Sequence, residues 1–264
     1  MGRLRYPAPE SHRTGLGLTV HDWPGSGGSA APVLLIHGFA SNTLFNWVKT
    51  GWLDPLSESL GGGESRRIIS VDLPGHGASS EVDPTGIRSA DILDDLHEII
   101  AAAGAGPVAL HGYSMGSRLA WQFAHEHPAE VASLVMGGSP LSDDVYRVDA
   151  EQARTWAAGG EEPADERTRR YITVAAALPE QNLPHVVELR LSLAQDRYSP
   201  EETVPAVPTL VVAGGQDPIA AGAEQLAGWV RATGAEAQFL EIPGRNHVNV
   251  LTAREYKQAV SRFI

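Results

Sequence analysis

A serine lies at the centre of the pentapeptide Gly112-Tyr113-Ser114-Met115-Gly116, which fits the pattern G-x-S-x-G. The apolar residues 107–111 predict a short buried strand before it, and apolar residues at helical spacing predict a helix after it. A sharp turn from a strand into a helix strains the central residue and projects its side chain from the edge of a sheet. Glycines are needed on either side because a Cβ there would collide with the neighbouring strand and helix. The sequence therefore predicts that Ser114 is a nucleophile.

A serine hydroxyl is a weak nucleophile and needs a base, which in turn needs a carboxylate to orient it. Asp217 lies in the turn GGQDP after one predicted strand, and His247 lies in the loop PGRNH after the next. We therefore predict a triad in which Ser114 attacks a carbonyl, His247 transfers the proton and Asp217 holds the imidazole. Asp143 and Asp144 follow the preceding strand and are alternative candidates for the acid.

These candidate residues require a parallel sheet that brings several strand ends to one edge. Apolar runs predict strands, and one-sided apolar spacing predicts helices. The predicted strands are residues 16–23, 33–36, 67–71, 107–111, 131–136, 207–213 and 237–242; the predicted helices are a stretch ending near Leu60, residues 89–103, the helix after Ser114 and residues 252–264. Alternating strands and helices predict an α/β fold with a parallel sheet covered on both faces.

The alternation stops between residues 141 and 203, where the sequence is charged, helical in character and without a buried strand. An insertion at this edge of a sheet predicts a helical lid. We therefore expect a core domain in two parts, residues 1–140 and 204–264, with a lid of residues 141–203 between them.

Composition excludes several function classes. The chain has 264 residues, 42% of them hydrophobic, and no apolar run as long as a membrane span. Met1 to Pro7 contain no apolar segment typical of a secretory signal, and the absence of cysteine excludes disulfides and thiolate metal sites. A net charge of −12 disfavours nonspecific binding to nucleic acid or anionic lipid. We expect a cytoplasmic enzyme that acts on a small molecule without a metal or cofactor, and the sequence leaves the oligomeric state open.

The motifs and their order resemble the α/β-hydrolase superfamily over essentially the whole chain except the lid. The resemblance is carried by His37-Gly38-Phe39, by DLPGHGAS at residues 72–79, by the pentapeptide around Ser114, by GQDP at residues 215–218 and by GRNH at residues 244–247. It implies an α/β-hydrolase fold and an oxyanion hole made by the backbone N–H groups of Phe39 and Met115. Two such donors stabilise the charge that develops on the carbonyl oxygen, and losing one costs on the order of 10²–10³ in rate.

Arg118 is the residue that bears on the substrate. Serine at the centre of the pentapeptide argues against the haloalkane dehalogenase and epoxide hydrolase branches, which carry aspartate there. The continuation Ser117-Arg118-Leu119-Ala120 is similar to the menaquinone-pathway lyase family, in which an arginine at this place helps to bind a carboxylated substrate, although that family has glycine in place of Ser117. A planar guanidinium suits a carboxylate. Arg118 is therefore a candidate substrate-binding residue; the alternative is a helix-surface or lid-pairing role.

Three aromatic residues are candidates for an apolar acyl pocket: Phe39, Trp47 and Tyr113. Ordinary packing is the alternative for each of them. The sequence as a whole predicts a serine hydrolase that cleaves a small carboxylic ester, lactone or thioester through an acyl-enzyme. Two alternatives remain open, a lyase or cyclase that uses the same triad on a carboxylated metabolite and a noncatalytic receptor for a small ligand.

Overall fold

The fold is built on one twisted sheet. The computed structural model describes residues 8–26, 30–57, 64–104, 106–142, 147–179 and 181–264. Within them one eight-stranded sheet has the order β1-β2-β4-β3-β5-β6-β7-β8. The strands are β1 (Glu10–Arg13), β2 (Thr19–Trp23), β3 (Val33–Ile36), β4 (Ile68–Asp72), β5 (Val108–Tyr113), β6 (Val131–Gly137), β7 (Thr209–Gly214) and β8 (Ala237–Ile242).

The sheet is parallel from β4 to β8 and antiparallel at the edge formed by β1 and β2. All residues of β3, β4 and β5 are buried, as expected for strands covered on both faces. The predicted mostly parallel sheet is confirmed. β1 was not predicted, because its sequence ESHR has no alternation of apolar and polar residues. All four of its residues are exposed in the structure.

Helices cover both faces of the sheet. They are α1 (Leu53–Ser57), α2 (Ser89–Ala103), α3 (Met115–Glu126), α4 (Ala150–Ala157), α5 (Glu166–Ala175), α6 (Leu183–Leu193), α7 (Glu224–Ala232) and α8 (Arg254–Phe263), with short helical turns at Leu44–Val48, Gly77–Ser79, Pro128–Glu130 and Asn249–Thr252. The apolar sides of α2, α3 and α7 share one core with the sheet, and α1 and α8 belong to a second core on the other face. The predicted helix 89–103 has the same bounds in the structure, and Gly104, with a positive φ of 62°, follows its last residue.

The segment between β6 and β7 contains α4, α5 and α6, and its described residues include no strand. These helices have a small core of their own, to which Tyr171, Ile172 and Val187 contribute. α6 also contributes Leu189 and Leu193 to the main core. The insertion is thus helical and attached to the sheet domain mainly through α6. Its mobility and its bounds at 141 and 203 stay predictions.

Among the described helices, none combines the length and the hydropathy that a bilayer crossing requires.

Candidate active site

The turn around Ser114 has the strained geometry that its motif predicts. Ser114 follows β5 directly, precedes α3 and has φ 53° and ψ −115°, a region that few non-glycine residues adopt. A Cβ on Gly112 would lie 2.4 Å from the carbonyl oxygen of Gly116, and one on Gly116 would lie 2.3 Å from that of Ile36. Both positions therefore exclude any larger residue, and the packing that excludes it holds the serine in place.

Ser114, His247 and Asp217 form a continuous chain of hydrogen bonds. The hydroxyl oxygen of Ser114 lies 2.9 Å from Nε2 of His247, and Nδ1 of His247 lies 2.7 Å from Oδ2 of Asp217. The three residues follow three different parallel strands, β5, β7 and β8, so they meet at the carboxyl edge of the sheet. This arrangement lets the imidazole accept the serine proton while its own Nδ1–H donates to the carboxylate.

Asp217 is held by its own turn. The residue is only 5% exposed, and its Oδ1 accepts hydrogen bonds from the backbone N–H groups of Ile219 at 2.9 Å and Ala220 at 3.3 Å. These two donors fix the carboxylate so that Oδ2 faces the histidine. The alternative acids, Asp143 and Asp144, lie outside the described residues.

The two predicted oxyanion donors lie next to the nucleophile. Met115 is the first residue of α3, where backbone N–H groups have no acceptor inside the helix. Phe39 follows Gly38, and a Cβ on Gly38 would lie 3.2 Å from the Cβ of Ser114. The loop that carries Phe39 therefore passes directly against the nucleophile.

Buried side chains hold this oxyanion loop. The N–H of Ala40, which has a positive φ of 52°, donates to Nε2 of His76 at 3.2 Å, and Nδ1 of His76 donates to the carbonyl of Pro74 at 2.8 Å. Asn46 accepts the N–H of Gly38 through Oδ1 at 3.2 Å. Burial lowers the pKa of His76 to about 3, so its ring stays neutral and Nε2 can accept. His76 shapes this loop rather than transferring protons to Ser114.

A buried carboxylate anchors the far end of the same loop. Oδ1 of Asp72 accepts the N–H of Thr43 at 2.7 Å, and Oδ2 lies 3.1 Å from Nε2 of His21. Burial alone would raise the pKa of Asp72, but the hydrogen bond from His21, the nearby His37 and two backbone N–H groups together lower it well below its usual value. The carboxylate therefore stays ionised and keeps its bonds.

Arg118, the candidate substrate-binding residue, is held in contacts within the protein. Its side chain is completely buried, Nη2 donates to the backbone carbonyl of Asp196 at 2.7 Å, and the guanidinium carbon lies 5.3 Å from the centre of the Tyr198 ring. These contacts direct the guanidinium to the segment after α6 and away from solvent. Arg118 joins α3 to the end of the insertion, as the lid-pairing alternative states.

Two of the predicted pocket aromatics are also packing residues. Trp47 is completely buried, with its ring 4.8 Å from that of His111 and 5.9 Å from that of Trp52. Tyr113 is buried beneath the histidine loop, where its hydroxyl donates to the backbone carbonyl of His247. Both rings are packed in the interior, as the packing alternative for these residues states, and Tyr113 contacts the loop of the catalytic histidine candidate.

Phe39 is partly exposed and contacts the insertion. Its ring stacks on that of Tyr171 of α5 at 4.7 Å, and the guanidinium carbon of Arg190 of α6 lies 4.9 Å from the Phe39 ring and 4.8 Å from the Tyr171 ring. The insertion thus touches the loop that carries a predicted oxyanion donor. No sequence signal indicates this contact, because more than a hundred residues separate its two sides.

Comparison with known proteins agrees with the α/β fold of the chain. The family model of the alpha/beta hydrolase fold matches residues 31–168. A pimeloyl-[acyl-carrier protein] methyl ester esterase of Nitrosomonas europaea is 32% identical over 112 residues, which are 42% of this chain and 38% of the relative. A 2-succinyl-6-hydroxy-2,4-cyclohexadiene-1-carboxylate synthase of Yersinia enterocolitica is 34% identical over 110 residues, 40% of this chain and 38% of the relative. The matched stretch is thus well under half the length of each relative.

A solved structure shows the same fold over nearly the whole chain. A thermophilic esterase from Thermogutta terrifontis superposes with a TM-score of 0.69 and 24% identity, covering 97% of each chain. At this identity the likeness is one of fold.

Proposed function

The chain belongs to the α/β-hydrolase fold family, and we propose that it is a serine hydrolase that cleaves a small carboxylic ester, lactone or thioester. The observation that carries the proposal is the unbroken contact from Ser114 through His247 to Asp217, at 2.9 and 2.7 Å. The esterase among the relatives agrees with this reaction class, at low identity and over part of its length.

The reaction would proceed through an acyl-enzyme. Ser114 would give its proton to Nε2 of His247 as its oxygen attacks the substrate carbonyl. The backbone N–H groups of Met115 and Phe39 would bind the oxyanion of the tetrahedral intermediate. His247 would then return the proton to the leaving oxygen or sulfur, and a water molecule, activated by the same imidazole, would hydrolyse the acyl-enzyme. The buried carboxylate of Asp217 would stabilise the imidazolium in both halves.

A lyase or cyclase that uses the same triad on a carboxylated metabolite is the second candidate, because one relative is a synthase of a carboxylate product. In the sequence, Arg118 is the residue that favours this candidate, as a ligand of the substrate carboxylate. The contacts of Arg118 with Asp196 and Tyr198 do not support that role, so we favour hydrolysis.

Labelling with a fluorophosphonate probe, followed by mass spectrometry, tests the nucleophile. We expect one label, on Ser114, together with hydrolysis of a short p-nitrophenyl ester. Ser114→Ala should remove the label and lower kcat on the order of 10⁶-fold, as in other serine triads. Ser133→Ala, at a buried serine paired with Ala109 in the sheet, is the matched control and should retain both.

Failure of the wild-type protein to label or turn over any ester would contradict the proposal and favour the noncatalytic receptor. Product identity with a candidate metabolite separates the two enzymatic candidates, and Arg118→Ala, assayed on a carboxylated ester and its neutral analogue, tests whether Arg118 binds a carboxylate. Because Arg118 is buried in packing contacts, we expect both substrates to lose activity to a similar degree. A loss confined to the carboxylated ester would favour the lyase or cyclase.

A further inference from the structure

A second cluster of chemically active side chains lies far from the triad. His97, His127 and Glu130 each present a ligand atom, and these atoms all lie within 4.8 Å of one another. His97 projects from α2, His127 follows the last residue of α3, and Glu130 belongs to the helical turn Pro128–Glu130. The cluster lies at the end of α3 opposite Ser114, about 18 Å along the helix.

The two imidazoles converge on one carboxylate oxygen. Nδ1 of His97 lies 2.8 Å from Oε1 of Glu130, and Nδ1 of His127 lies 3.3 Å from the same atom. Zinc binds imidazole nitrogen and carboxylate oxygen at about 2.0–2.2 Å, so a tetrahedral ion holds its ligand atoms about 3.3 Å apart. The two nitrogen–oxygen separations are within about half an ångström of that requirement, and the two imidazole nitrogens lie within 4.8 Å of each other, so rotation of the side chains would have to bring the nitrogens to one ion.

The surrounding structure holds the ligands in this arrangement. His127 and Glu130 are joined by a hydrogen bond from the N–H of Glu130 to the carbonyl of His127 at 3.0 Å, and Pro128 stiffens the turn between them. The ring of Phe123 stacks on that of His127 at 4.7 Å and fixes its plane. Only His97 is mainly exposed, and it is carried by a helix whose opposite side is buried in the core. The restraint on His127 and Glu130 lowers the entropy that is lost when an ion binds.

We propose that His97, His127 and Glu130 form a binding site for a divalent first-row transition metal ion such as Zn²⁺. Two imidazoles and one carboxylate suit Zn²⁺, Cu²⁺ or Ni²⁺ better than Mg²⁺ or Ca²⁺, which prefer oxygen ligands. Water would complete the coordination on the exposed side. The bound ion would link α2 to the connection between α3 and β6, and it would stabilise the scaffold behind the nucleophile without entering the reaction.

Titration of the untagged full-length protein with Zn²⁺, followed by calorimetry, tests the site. We expect one ion per chain and a rise in Tm with Zn²⁺. Loss of a ligand in His97→Ala should weaken binding at least about 10–100-fold and abolish the rise, and Glu130→Gln should also weaken binding. His125→Ala is the matched control, because His125 is an exposed histidine near the same end of α3 that is not part of the cluster.

Cu²⁺ gives an independent readout, since electron paramagnetic resonance counts its nitrogen ligands. We expect two imidazole nitrogens in the wild-type protein and one in His97→Ala. His97 is exposed, so this variant should fold, which circular dichroism can verify. The proposal is overturned if the wild-type protein binds neither ion, or if His97→Ala binds as tightly as His125→Ala.

Discussion

Asp217→Asn should inactivate the enzyme while preserving its fold, because the turn around Asp217 dictates which way the new amide faces. Oδ1 of Asp217 accepts two backbone N–H groups, from Ile219 and Ala220. The amide oxygen of asparagine will take that position, since only the oxygen can accept. Its NH₂ group must then occupy the place of Oδ2, 2.7 Å from Nδ1 of His247.

Two N–H donors cannot face each other at that distance, so Nδ1 of His247 must give up its proton and accept from the amide. A neutral imidazole then carries its proton on Nε2, which faces the hydroxyl of Ser114 at 2.9 Å. In this tautomer Nε2 cannot accept the serine proton. The same substitution in the well-studied serine protease triad lowers kcat by about 10⁴, which corresponds to about 5.4 kcal/mol in activation free energy.

The assay is kcat for a p-nitrophenyl ester, combined with the rate of fluorophosphonate labelling of Ser114. Urea unfolding should show a variant close to the wild type in stability, because the backbone contacts of the turn are kept. Asp143→Asn and Asp144→Asn, which test the alternative acids, should leave kcat almost unchanged. Retention of kcat within about tenfold in a folded Asp217→Asn protein would refute the tautomer argument, and loss of activity in either of the other two variants would move the acid to the loop after β6.

Three further predictions concern parts of the structure around the triad. Burial lowers the pKa of His111 to about 3, so below pH 6.5 the unfolded state binds a proton that the folded state does not bind, and stability falls as the pH is lowered. From pH 6.5 to 4.5 His111 contributes a loss of about 2.3 kcal/mol. Urea titrations should find this loss as the difference between the wild type and His111→Gln, because the buried His76 contributes to both proteins. Tyr113→Phe removes the hydroxyl that donates to the carbonyl of His247, so kcat should fall about tenfold with little change in KM; an unchanged kcat would mean that other contacts position the histidine. Hydrogen exchange should be faster in residues 141–203 than in the strand at residues 207–212, and equally slow exchange in both would indicate a rigid insertion.

The sequence was sufficient to predict seven of the eight described strands and to bring Ser114, Asp217 and His247 to one edge of the sheet. Buried parallel strands have continuous apolar sequences, and each ends next to a motif residue, as β5 does at Ser114 and β7 at Asp217. Since carboxyl ends of parallel strands share one edge, the order of strands and motifs is enough to bring these side chains together. β1 escaped prediction because an exposed edge strand needs no apolar pattern.

The direction of individual side chains could not be predicted in the same way. Every residue of α3 from Met115 to Trp121 is buried, so the helix has no exposed polar side in this stretch. The sequence therefore does not indicate whether Arg118 points into a pocket or packs against a neighbouring segment. Arg118 reaches Asp196, whose position depends on how the insertion returns to the sheet. The packing of Trp47 and the contact of Phe39 with Tyr171 depend on tertiary structure in the same manner.

The backbone of Ser114 implies a conflict between activity and stability at one position. A non-glycine residue at φ 53° and ψ −115° costs on the order of 1–3 kcal/mol, and the folded protein carries that cost because position 114 is a serine. Glycine adopts these angles without penalty. Glycine also makes the unfolded chain more flexible, and this cancels about 0.5–1 kcal/mol of the stability gained. A Ser114→Gly protein would then be inactive and at least as stable as the wild type. Stability alone would therefore favour glycine at this position, and the proposed nucleophilic role accounts for a serine there.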